Sequence, residues 1–291
     1  MPEVECILEH QDMIGESPLW SLGEGALYWV DVTAPCIYRL LLATRHLTRW
    51  SMPEAVGSIA FRRRGGLVAG MRSGIYALDL ESGRREALFR HGSDRPGLRF
   101  NDGKCDRAGR FWSGTMDDQA FEPLGELYRL NPEGRCDVVD QGFIIVNGIA
   151  WSPDNRTMYV ADTRRDIVYA YDFDISTGSA AGRRPWISTE NIPGRVDGAT
   201  IARDGTYWCA HVRGGEIAQY DPAGHLMRTV PLPVRYPLMC SFGGPDMDIL
   251  FVTTGRVLAT PDELAAQPLN GSLFAVHGTG STGIPEGEYG R

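Results

Sequence analysis

The sequence predicts an all-β protein: a six-bladed β-propeller of four-stranded antiparallel blades, with the ring closed by an N-terminal strand. A short motif recurs six times, beginning near residues 16, 57, 101, 147, 197 and 239. Repeats at intervals of roughly 40–50 residues are typical of propeller blades. Two further apolar runs follow each copy, and only residues 261–266 show a helical pattern.

The motif is clearest at residues 146–151, which read Val-Asn-Gly-Ile-Ala-Trp. It recurs as Val-Asp-Gly-Ala-Thr-Ile at 196–201, and more loosely as Phe-Asn-Asp-Gly at 100–103 and Gly-Glu-Ser-Pro-Leu-Trp at 15–20. The copies at 56–61 and 238–242 keep the apolar pattern and lose the polar residue at its head. Short β-branched and aromatic runs separated by Gly, Pro, Asn and Asp are typical of strands joined in hairpins. Each repeat therefore predicts one antiparallel blade.

Closure of the ring is predicted from the two ends of the chain. The last repeat, residues 238–277, contains only three strand-like runs, while residues 4–8 form an extra run before the first motif. Pairing of this run with the last blade would remove an exposed strand edge. Because the repeats fill nearly the whole chain, residues 1–291 are predicted to form one domain. The tail 278–291, rich in Gly, Thr and Pro, is expected to wrap the surface or to be mobile.

Composition restricts the partners and the location. The 291-residue chain has a formal net charge of −8, which disfavours nucleic acid and anionic membrane surfaces as partners. No run reaches the length of a membrane span, and no signal peptide is evident. The six cysteines are scattered without a Cys-x-x-Cys pair, as in a reduced protein. We therefore expect a cytoplasmic protein.

Polar residues at the motif heads predict a metal site. The innermost strand of each propeller blade lines the channel, so equivalent positions form a ring. The six heads are Glu16, Gly57, Asn101 or Asp102, Asn147, Asp197, and Met239 or Cys240. Buried carboxylates would repel one another and lose their hydration, and a divalent cation would offset both costs. Carboxylate and amide oxygens suit calcium, magnesium or manganese.

A simpler alternative is that Asn-Gly and Asp-Gly pairs only form turns at the strand starts. That explanation suffices for any one head, but the repetition of polar heads at one repeat position favours the metal site. The strands that follow the heads end near the same mouth and predict a second polar ring, formed by Asp31, Arg72, residues 115–118, Asp162, His211 and Thr254. Taken singly, Asp31 and Asp162 are expected to cap turns, and His211 to be a satisfied structural residue.

Several segments together resemble one known family. They are Gly-Glu-Ser-Pro-Leu-Trp at 15–20, Arg-Phe-Asn-Asp-Gly-Lys at 99–104, Gly-Arg-Phe-Trp-Ser-Gly-Thr-Met at 109–116, Asn-Gly-Ile-Ala-Trp-Ser-Pro-Asp at 147–154 and Val-Asp-Gly at 196–198. Through them the chain resembles the SMP-30/gluconolactonase/luciferin-regenerating enzyme family, six-bladed propellers with one divalent metal in the channel. Phe-Gly-Gly-Pro-Asp at 242–246 resembles a motif in the last blade of bacterial sugar lactonases.

The resemblance implies that Glu16, Asn147 and Asp197 are metal ligands, and that Arg99 and Asn101 contact a sugar lactone. It implies one divalent ion, calcium first, with zinc, manganese, magnesium or iron(II) as alternatives. Some family members contact substrate through an acidic residue a few positions past Gly-Thr-Met, where this chain has Gln119. That departure bears on which hydroxyl groups the site prefers.

The expected activity is metal-dependent hydrolysis of an aldonolactone to the aldonic acid, with the metal as Lewis acid and Asp197 as proton acceptor. Arg99 would hold the substrate through its planar fork, and Asn101 can donate and accept hydrogen bonds to a polyol. One alternative is a related hydrolase of other esters, such as organophosphates, on the same propeller. Another is a non-catalytic propeller that binds proteins, although such a platform does not need Glu, Asn and Asp in its channel.

Overall fold

Six four-stranded antiparallel sheets surround a central channel in the computed structural model, which describes residues 2–91 and 97–290. The innermost strand of each sheet contacts the innermost strands of the two neighbouring sheets, and the first sheet in the chain contacts the last, so the ring is closed. The predicted six-bladed β-propeller of four-stranded blades is therefore confirmed.

In blades 1 to 5 the strands run in chain order from the channel outwards. The chain begins with β1 (Glu3–Leu8). Blade 1 comprises β2 (Gly15–Ser21), β3 (Ala26–Asp31), β4 (Cys36–Leu41) and β5 (His46–Ser51). Blade 2 comprises β6 (Val56–Phe61), β7 (Leu67–Met71), β8 (Gly74–Asp79) and β9 (Arg84–Arg90). Blade 3 comprises β10 (Leu98–Cys105), β11 (Phe111–Asp117), β12 (Gly125–Leu130) and β13 (Cys136–Phe143).

Blade 4 comprises β14 (Val146–Trp151), β15 (Thr157–Asp162), β16 (Ile167–Asp174) and β17 (Ser179–Ser188), with a short 3-10 turn at Thr163–Arg165. Blade 5 comprises β18 (Arg195–Ile201), β19 (Tyr207–Val212), β20 (Glu216–Tyr220) and β21 (Leu226–Pro231). Blade 6 comprises β22 (Pro237–Gly243), β23 (Ile249–Thr254) and β24 (Leu273–His277), and α1 (Pro261–Ala266) lies between the last two.

Burial falls from the inner strands to the outer ones, as the apolar pattern of each repeat requires. The innermost strands are almost wholly buried, while β5, β9 and β21 are largely exposed. Three tryptophans, Trp29, Trp112 and Trp208, are fully buried in the second strands of blades 1, 3 and 5. Packing between blades thus accounts for the large aromatic side chains of the motif repeats.

The ring closes through the N-terminal strand, as predicted. The antiparallel pairing of β1 with β24 runs from Glu3 opposite His277 to Leu8 opposite Leu273. Ile7 is buried in the core cluster between the first and last blades. The outer edge of blade 6 is therefore covered by the start of the chain, and β24 has no free edge there.

The C-terminal segment 278–290 crosses the ends of inner strands on the side opposite to the motif heads. Gly283 forms a β-bridge with Ala202, which follows β18, and Tyr289 forms one with Arg62, which follows β6. Glu286 accepts a 2.6 Å bond from Nζ of Lys104 at the end of β10. Of the two expectations for this tail, wrapping is confirmed, and a ligand is left to approach the channel from the head end.

The helical pattern at residues 261–266 is also confirmed. A capping box between Thr260 and Glu263 begins α1, and Pro261 occupies its first turn. In the part of the chain that the structure covers, no helix has the length and apolar character that crossing a membrane requires. All six cysteines are free thiols.

Candidate active site

A cavity of about 460 Å³ opens at the head end of the channel. Its lining residues come from blades 1, 3, 4, 5 and 6. They include all five residues that the sequence analysis selected, which are Glu16, Arg99, Asn101, Asn147 and Asp197. A volume of this size is typical of a small-molecule site.

Local irregularities in the inner strands turn the head residues towards this cavity. The register with the next strand shifts at Glu16 in β2, at Asn147 in β14 and around Asp197 in β18. Such bulges bend a strand and redirect its side chains. Gly148 follows Asn147 with a φ of 56°, and a Cβ there would lie 2.3 Å from the Tyr207 hydroxyl oxygen. The motif therefore requires glycine at this position, because the backbone is left-handed and there is no room for a Cβ atom.

Four of the selected residues form one directed chain of hydrogen bonds. Nη1 of Arg99 donates to Oδ1 of Asn101 at 2.8 Å, and Nδ2 of Asn101 donates to Oδ1 of Asn147 at 2.8 Å. Nδ2 of Asn147 donates to Oδ1 of Asp197 at 2.6 Å and to Oγ1 of Thr163 at 2.8 Å. These bonds join blades 3, 4 and 5 and fix the amide of Asn147 towards both neighbours.

Glu16 and Asp197, the two carboxylates at the floor of the cavity, lie in an environment that disfavours their ionised forms. Burial and the neighbouring Asp102 raise the pKa of Asp197 to about 8. Burial, together with repulsion from Asp197 and Asp102, raises the pKa of Glu16 well above its ordinary value. Both residues have less than a tenth of their surface exposed. Their ionised forms therefore need positive charge that the surrounding protein supplies only in part through Arg99.

At the third motif head, the residue that lines the cavity is Asn101 and not Asp102. Asp102, the next residue of β10, accepts a 3.0 Å bond from the backbone N–H of Ile149 and thereby ties blade 3 to blade 4. The blade 2 head supplies no lining residue, because Gly57 lies against the β10 backbone. A Cβ at Gly57 would approach the Phe100 carbonyl oxygen to 2.5 Å. The polar ring thus has four members where the repeat offered six positions.

Two residues of the predicted second ring prove to be turn caps, as expected of them singly. Asp31 accepts from the backbone N–H groups of Met13 at 2.7 Å and Ile14 at 3.2 Å. Asp162 has the equivalent role in blade 4, with bonds of 3.0 and 3.2 Å to the N–H groups of residues 144 and 145. Neither Asp31 nor Asp162 lines the cavity.

His211 is buried away from the cavity. Its Nδ1 lies 3.1 Å from Oε1 of Glu216, and its Nε2 lies 3.2 Å from the hydroxyl of Tyr220. Burial lowers the pKa of His211, although Glu216 opposes the shift. Both ring nitrogens of His211 therefore have hydrogen-bond partners, and the residue is structural, as expected.

Asp118 is the acidic residue that lines the cavity in the segment after Gly-Thr-Met. It accepts hydrogen bonds from both Nη groups of Arg72, and one of its oxygens lies 3.6 Å from Nε of Arg99. Gln119, which by the family resemblance stands where some members have an acidic substrate contact, is exposed and does not line the cavity. The relevant signal was present in the predicted second ring, which contained both Arg72 and Asp118.

Three further arginines at the cavity rim were missed by sequence reasoning. Arg164 lies in the 3-10 turn after β15, Arg195 begins β18, and Arg213 lies in the turn after β19. Two of them lie in connections that have no fixed repeat position, so the motif could not identify them. Arg195 could have been found from strand alternation, because residues two apart in a strand share a face and Arg195 precedes Asp197 by two.

The donor set of the floor consists of hard oxygen ligands. Within residues 2–91 and 97–290, no three His, Cys, Asp or Glu side chains cluster in a way that could hold a metal ion. The polar groups that do line the floor are two carboxylates, Glu16 and Asp197, and two amides, Asn101 and Asn147. Two buried carboxylates with raised pKa values and neighbouring amide oxygens fit a divalent cation that prefers oxygen, such as calcium, magnesium or manganese.

Comparisons with known proteins agree with this architecture. The family model described as the SMP-30/gluconolactonase/LRE-like region matches residues 14–256. A 6-deoxy-6-sulfogluconolactonase of Pseudomonas putida is 34% identical over 274 residues, which cover 94% of this chain and 94% of that protein. Regucalcin of Oryctolagus cuniculus is 35% identical over 293 residues, which cover 99% of this chain and 98% of that protein.

A solved structure of similar shape is the calcium-binding protein regucalcin from Agrobacterium tumefaciens. It superimposes with a TM-score of 0.93 at 27% identity, over 98% of this chain and 96% of that one. The fold, the order of the motifs and the full-length similarity agree with one another. The chain belongs to the SMP-30/gluconolactonase/LRE-like family.

Proposed function

We propose that this protein is a metal-dependent sugar lactonase that hydrolyses an aldonolactone to the aldonic acid. The observation that carries the proposal is the hydrogen-bonded chain from Arg99 through Asn101 and Asn147 to Asp197, at the floor of a cavity of about 460 Å³ that also contains Glu16. Buried carboxylates, amides and one arginine in a small-molecule cavity are groups suited to polarising and opening a polar ester.

The relatives support the same reaction class. A protein named 6-deoxy-6-sulfogluconolactonase is 34% identical over nearly the full length of both chains. The name describes opening of a sugar lactone, and the family model carries gluconolactonase in its description. Hydrolysis of a lactone by this chain follows as the simplest common activity.

Glu16, Asn147 and Asp197 are the proposed metal ligands. Their oxygens are hard donors, and the raised pKa values of Glu16 and Asp197 are what a bound cation would reverse. Calcium is the first choice, supported by the similarity to a calcium-binding protein. A divalent ion held there would supply Lewis acidity towards the lactone carbonyl.

The remaining chemistry falls to side chains of the cavity. Asp197 accepts a proton from the water molecule whose oxygen attacks the lactone carbonyl carbon. The ring C–O bond then breaks, and the same proton passes to the departing alkoxide to give the hydroxy acid. Asn147 orients Asp197 through its 2.6 Å hydrogen bond.

Arg99 and Asn101 bind the sugar. The guanidinium of Arg99 has a lowered pKa because it is buried, yet an arginine stays charged and offers several donors in one plane. Asn101 offers both a donor and an acceptor, which suits a polyol. Together they fix the lactone in one orientation beside Asp197, which is the positioning that ester cleavage requires.

The test is turnover of a panel of aldonolactones by the chelated protein and by protein reloaded with each divalent metal. Acid release is followed in a weakly buffered indicator assay and corrected for spontaneous hydrolysis. We expect metal-dependent acceleration with at least one sugar lactone. Metal-dependent cleavage of organophosphates or aryl esters without any lactone turnover would favour the related esterase. No turnover of either class, with or without metal, would favour a binding platform.

A further inference from the structure

We propose that the lactone bound by this protein carries an anionic group, a sulfonate, phosphate or carboxylate, at the end remote from its ring carbonyl. This inference rests on the proposed lactonase function and concerns the rim of the same cavity. The rim is positively charged on one side, and that charge is not used by the reaction described above.

The first observation is the charge balance of the cavity. Its lining contains four arginines, Arg99, Arg164, Arg195 and Arg213, and three acidic residues, Glu16, Asp118 and Asp197. The balance is 4 − 3 = +1 over the same lining residues, in a chain whose net charge is −8. Glu16 and Asp197 lie at the floor, where the proposed cation would neutralise them. The excess of positive charge therefore resides at the rim.

The second observation is that the rim is polarised. On the blade 3 side, Asp118 engages Arg72 with both carboxylate oxygens and lies near Nε of Arg99. On that side one carboxylate is shared by two guanidinium groups. Arg164, Arg195 and Arg213 come from blades 4 and 5, which are adjacent in the ring. The only acidic partner that these three have among the described residues is Asp166, which faces Arg195.

The third observation is that these arginines have N–H donors that a ligand could use, since the described residues leave them without a protein partner. Oδ1 of Asp166 lies 3.2 Å from Nε of Arg195, and neither Nη of Arg195 has a hydrogen-bond partner in the described parts of the chain. Arg164 lies 5.4 Å above the ring of Phe121, which orients its guanidinium without neutralising it. Within the same described residues, Arg213 forms no ion pair. Within residues 2–91 and 97–290, three arginines that line the cavity thus retain free guanidinium donors.

The backbone at Arg213 supplies a fourth observation. Its φ of 69° lies in the left-handed region, which normally favours Gly or Asn. The two following residues of this turn are glycines. The turn therefore holds Arg213 in one backbone conformation, at a position that lines the cavity.

The positions of Arg195 and Asp197 along β18 assign the two ends of the substrate to different parts of the cavity. Arg195 and Asp197 both line the cavity, and Arg195 is the first residue of β18, at the head end of the strand. Arg195 therefore lies nearer the mouth than Asp197. A lactone whose carbonyl lies beside Asp197 would present its remote substituent to Arg195, Arg164 and Arg213. Guanidinium groups bind sulfonate, phosphate and carboxylate oxygens through paired hydrogen bonds.

The experiment compares kcat/KM for D-glucono-δ-lactone with its 6-phosphate, 6-sulfonate and 6-carboxylate counterparts, each corrected for spontaneous hydrolysis. We expect at least one anionic lactone to exceed the neutral one by about tenfold or more, since charge-assisted hydrogen bonds are about twice as strong as neutral ones. The order among the three anions identifies the group. The preference should fall as sodium chloride is raised, because exposed charges are screened.

Variants assign the preference to the rim. Arg164→Gln and Arg213→Gln should each lower the ratio of anionic to neutral kcat/KM severalfold, and the double variant should lower it further. Arg64→Gln, in the turn between β6 and β7 at the opposite end of the channel, is the matched control and should keep the wild-type ratio. Thermal unfolding of each variant checks the fold.

The outcomes separate this inference from the proposed function. Equal or better turnover of the neutral lactone overturns the anionic substrate and leaves the lactonase intact. An anion preference that survives the double variant overturns the assignment of that preference to Arg164 and Arg213. Absence of turnover with all four lactones at saturating metal overturns the lactonase itself.

Discussion

Asn147 donates a 2.6 Å hydrogen bond to Asp197 across a separation of 50 residues in the sequence. The bond joins the inner strands of blades 4 and 5 and exists only because the ring brings equivalent repeat positions together. The same Nδ2 of Asn147 also donates to Thr163, so the amide is held from both sides. Fold and candidate site are therefore linked through one bond.

Ring closure gives the first prediction. Deletion of residues 1–10 removes β1, leaves the edge of β24 unpaired and takes the buried Ile7 out of the core. Loss of one such side chain alone costs about 1.5–3 kcal/mol of burial, so we expect the melting temperature to fall by several degrees. Scanning calorimetry measures the fall, and light scattering detects association through the exposed edge. Deletion of residues 1–2, which precede β1, is the control; equal melting temperatures for the two truncations would contradict the closure.

The fold could be predicted from sequence because the same physical requirement recurs in every blade. Each inner strand must be apolar, must start with a residue that faces the channel, and must be followed by a hairpin, so the pattern appears six times. Closure by β1 followed from a count of strands in the last repeat. The path of the tail could not be predicted, since Gly, Thr and Pro composition allows both a mobile segment and the bridges made by Gly283 and Tyr289.

Of the candidate site, only the residues at the floor of the cavity could be predicted from the sequence. Asn147 and Asp197 stand at one repeat position, which the motif reveals directly. The choice between Asn101 and Asp102 depends on a bulge, and a one-residue shift exchanges the faces of a strand. Arg164 and Arg213 lie in connections whose conformation no repeat determines. Loop residues of this kind carry specificity in many folds and leave little trace in strand periodicity.

Substrate orientation gives the second prediction. Arg99→Lys keeps a positive charge but loses the planar fork, whose Nη1 contacts Oδ1 of Asn101 and the Phe100 carbonyl. We expect kcat/KM for the preferred lactone to fall by about 10-fold or more, because a charge-assisted hydrogen bond is worth about 1.5–3 kcal/mol. Divalent metal affinity, measured by titration calorimetry, should change little. A parallel loss of metal affinity would show that Arg99 belongs to the metal site.

The buried histidine gives the third prediction. Burial lowers the pKa of His211 in the folded protein, while in the unfolded chain histidine has its ordinary pKa of about 6.5. Below that pH the unfolded state gains a proton that folded His211 resists, so its contribution to stability is lost as the pH falls. His211→Gln removes this proton uptake. We therefore expect the free energy of unfolding of the wild type to drop relative to the variant between pH 7 and pH 5.

Urea unfolding of both proteins at several pH values measures this difference, and subtraction cancels the other titrating groups that the two proteins share. His46→Gln is the control, because His46 is exposed at the start of β5. A difference between wild type and His211→Gln that stays constant from pH 7 to pH 5 would show that folded His211 takes up protons like an exposed histidine.

The fourth prediction addresses the proposed base. Asp197→Asn is nearly isosteric, and its amide oxygen can still accept the hydrogen bond from Asn147, so the propeller should remain folded. The change removes one negative charge from the proposed metal ligands and the proposed proton acceptor. Loss of a general base typically lowers a rate by about 10²–10⁴-fold. We therefore expect lactone turnover to fall at least about 100-fold, even at saturating metal, with an unchanged circular dichroism spectrum.

Asp102→Asn is the matched control for this variant. It removes a buried carboxylate from the same neighbourhood, one that contributes to the raised pKa of Asp197 but bonds the Ile149 N–H and does not line the cavity. If the loss in Asp197→Asn came only from a changed local field, both variants would lose activity alike. If Asp197 is the base, Asp102→Asn should stay near wild-type turnover. If Asp197→Asn keeps near wild-type turnover at saturating metal, Asp197 is not the base and can be no more than a metal ligand. If its metal affinity is also unchanged, Asp197 does not belong to the site.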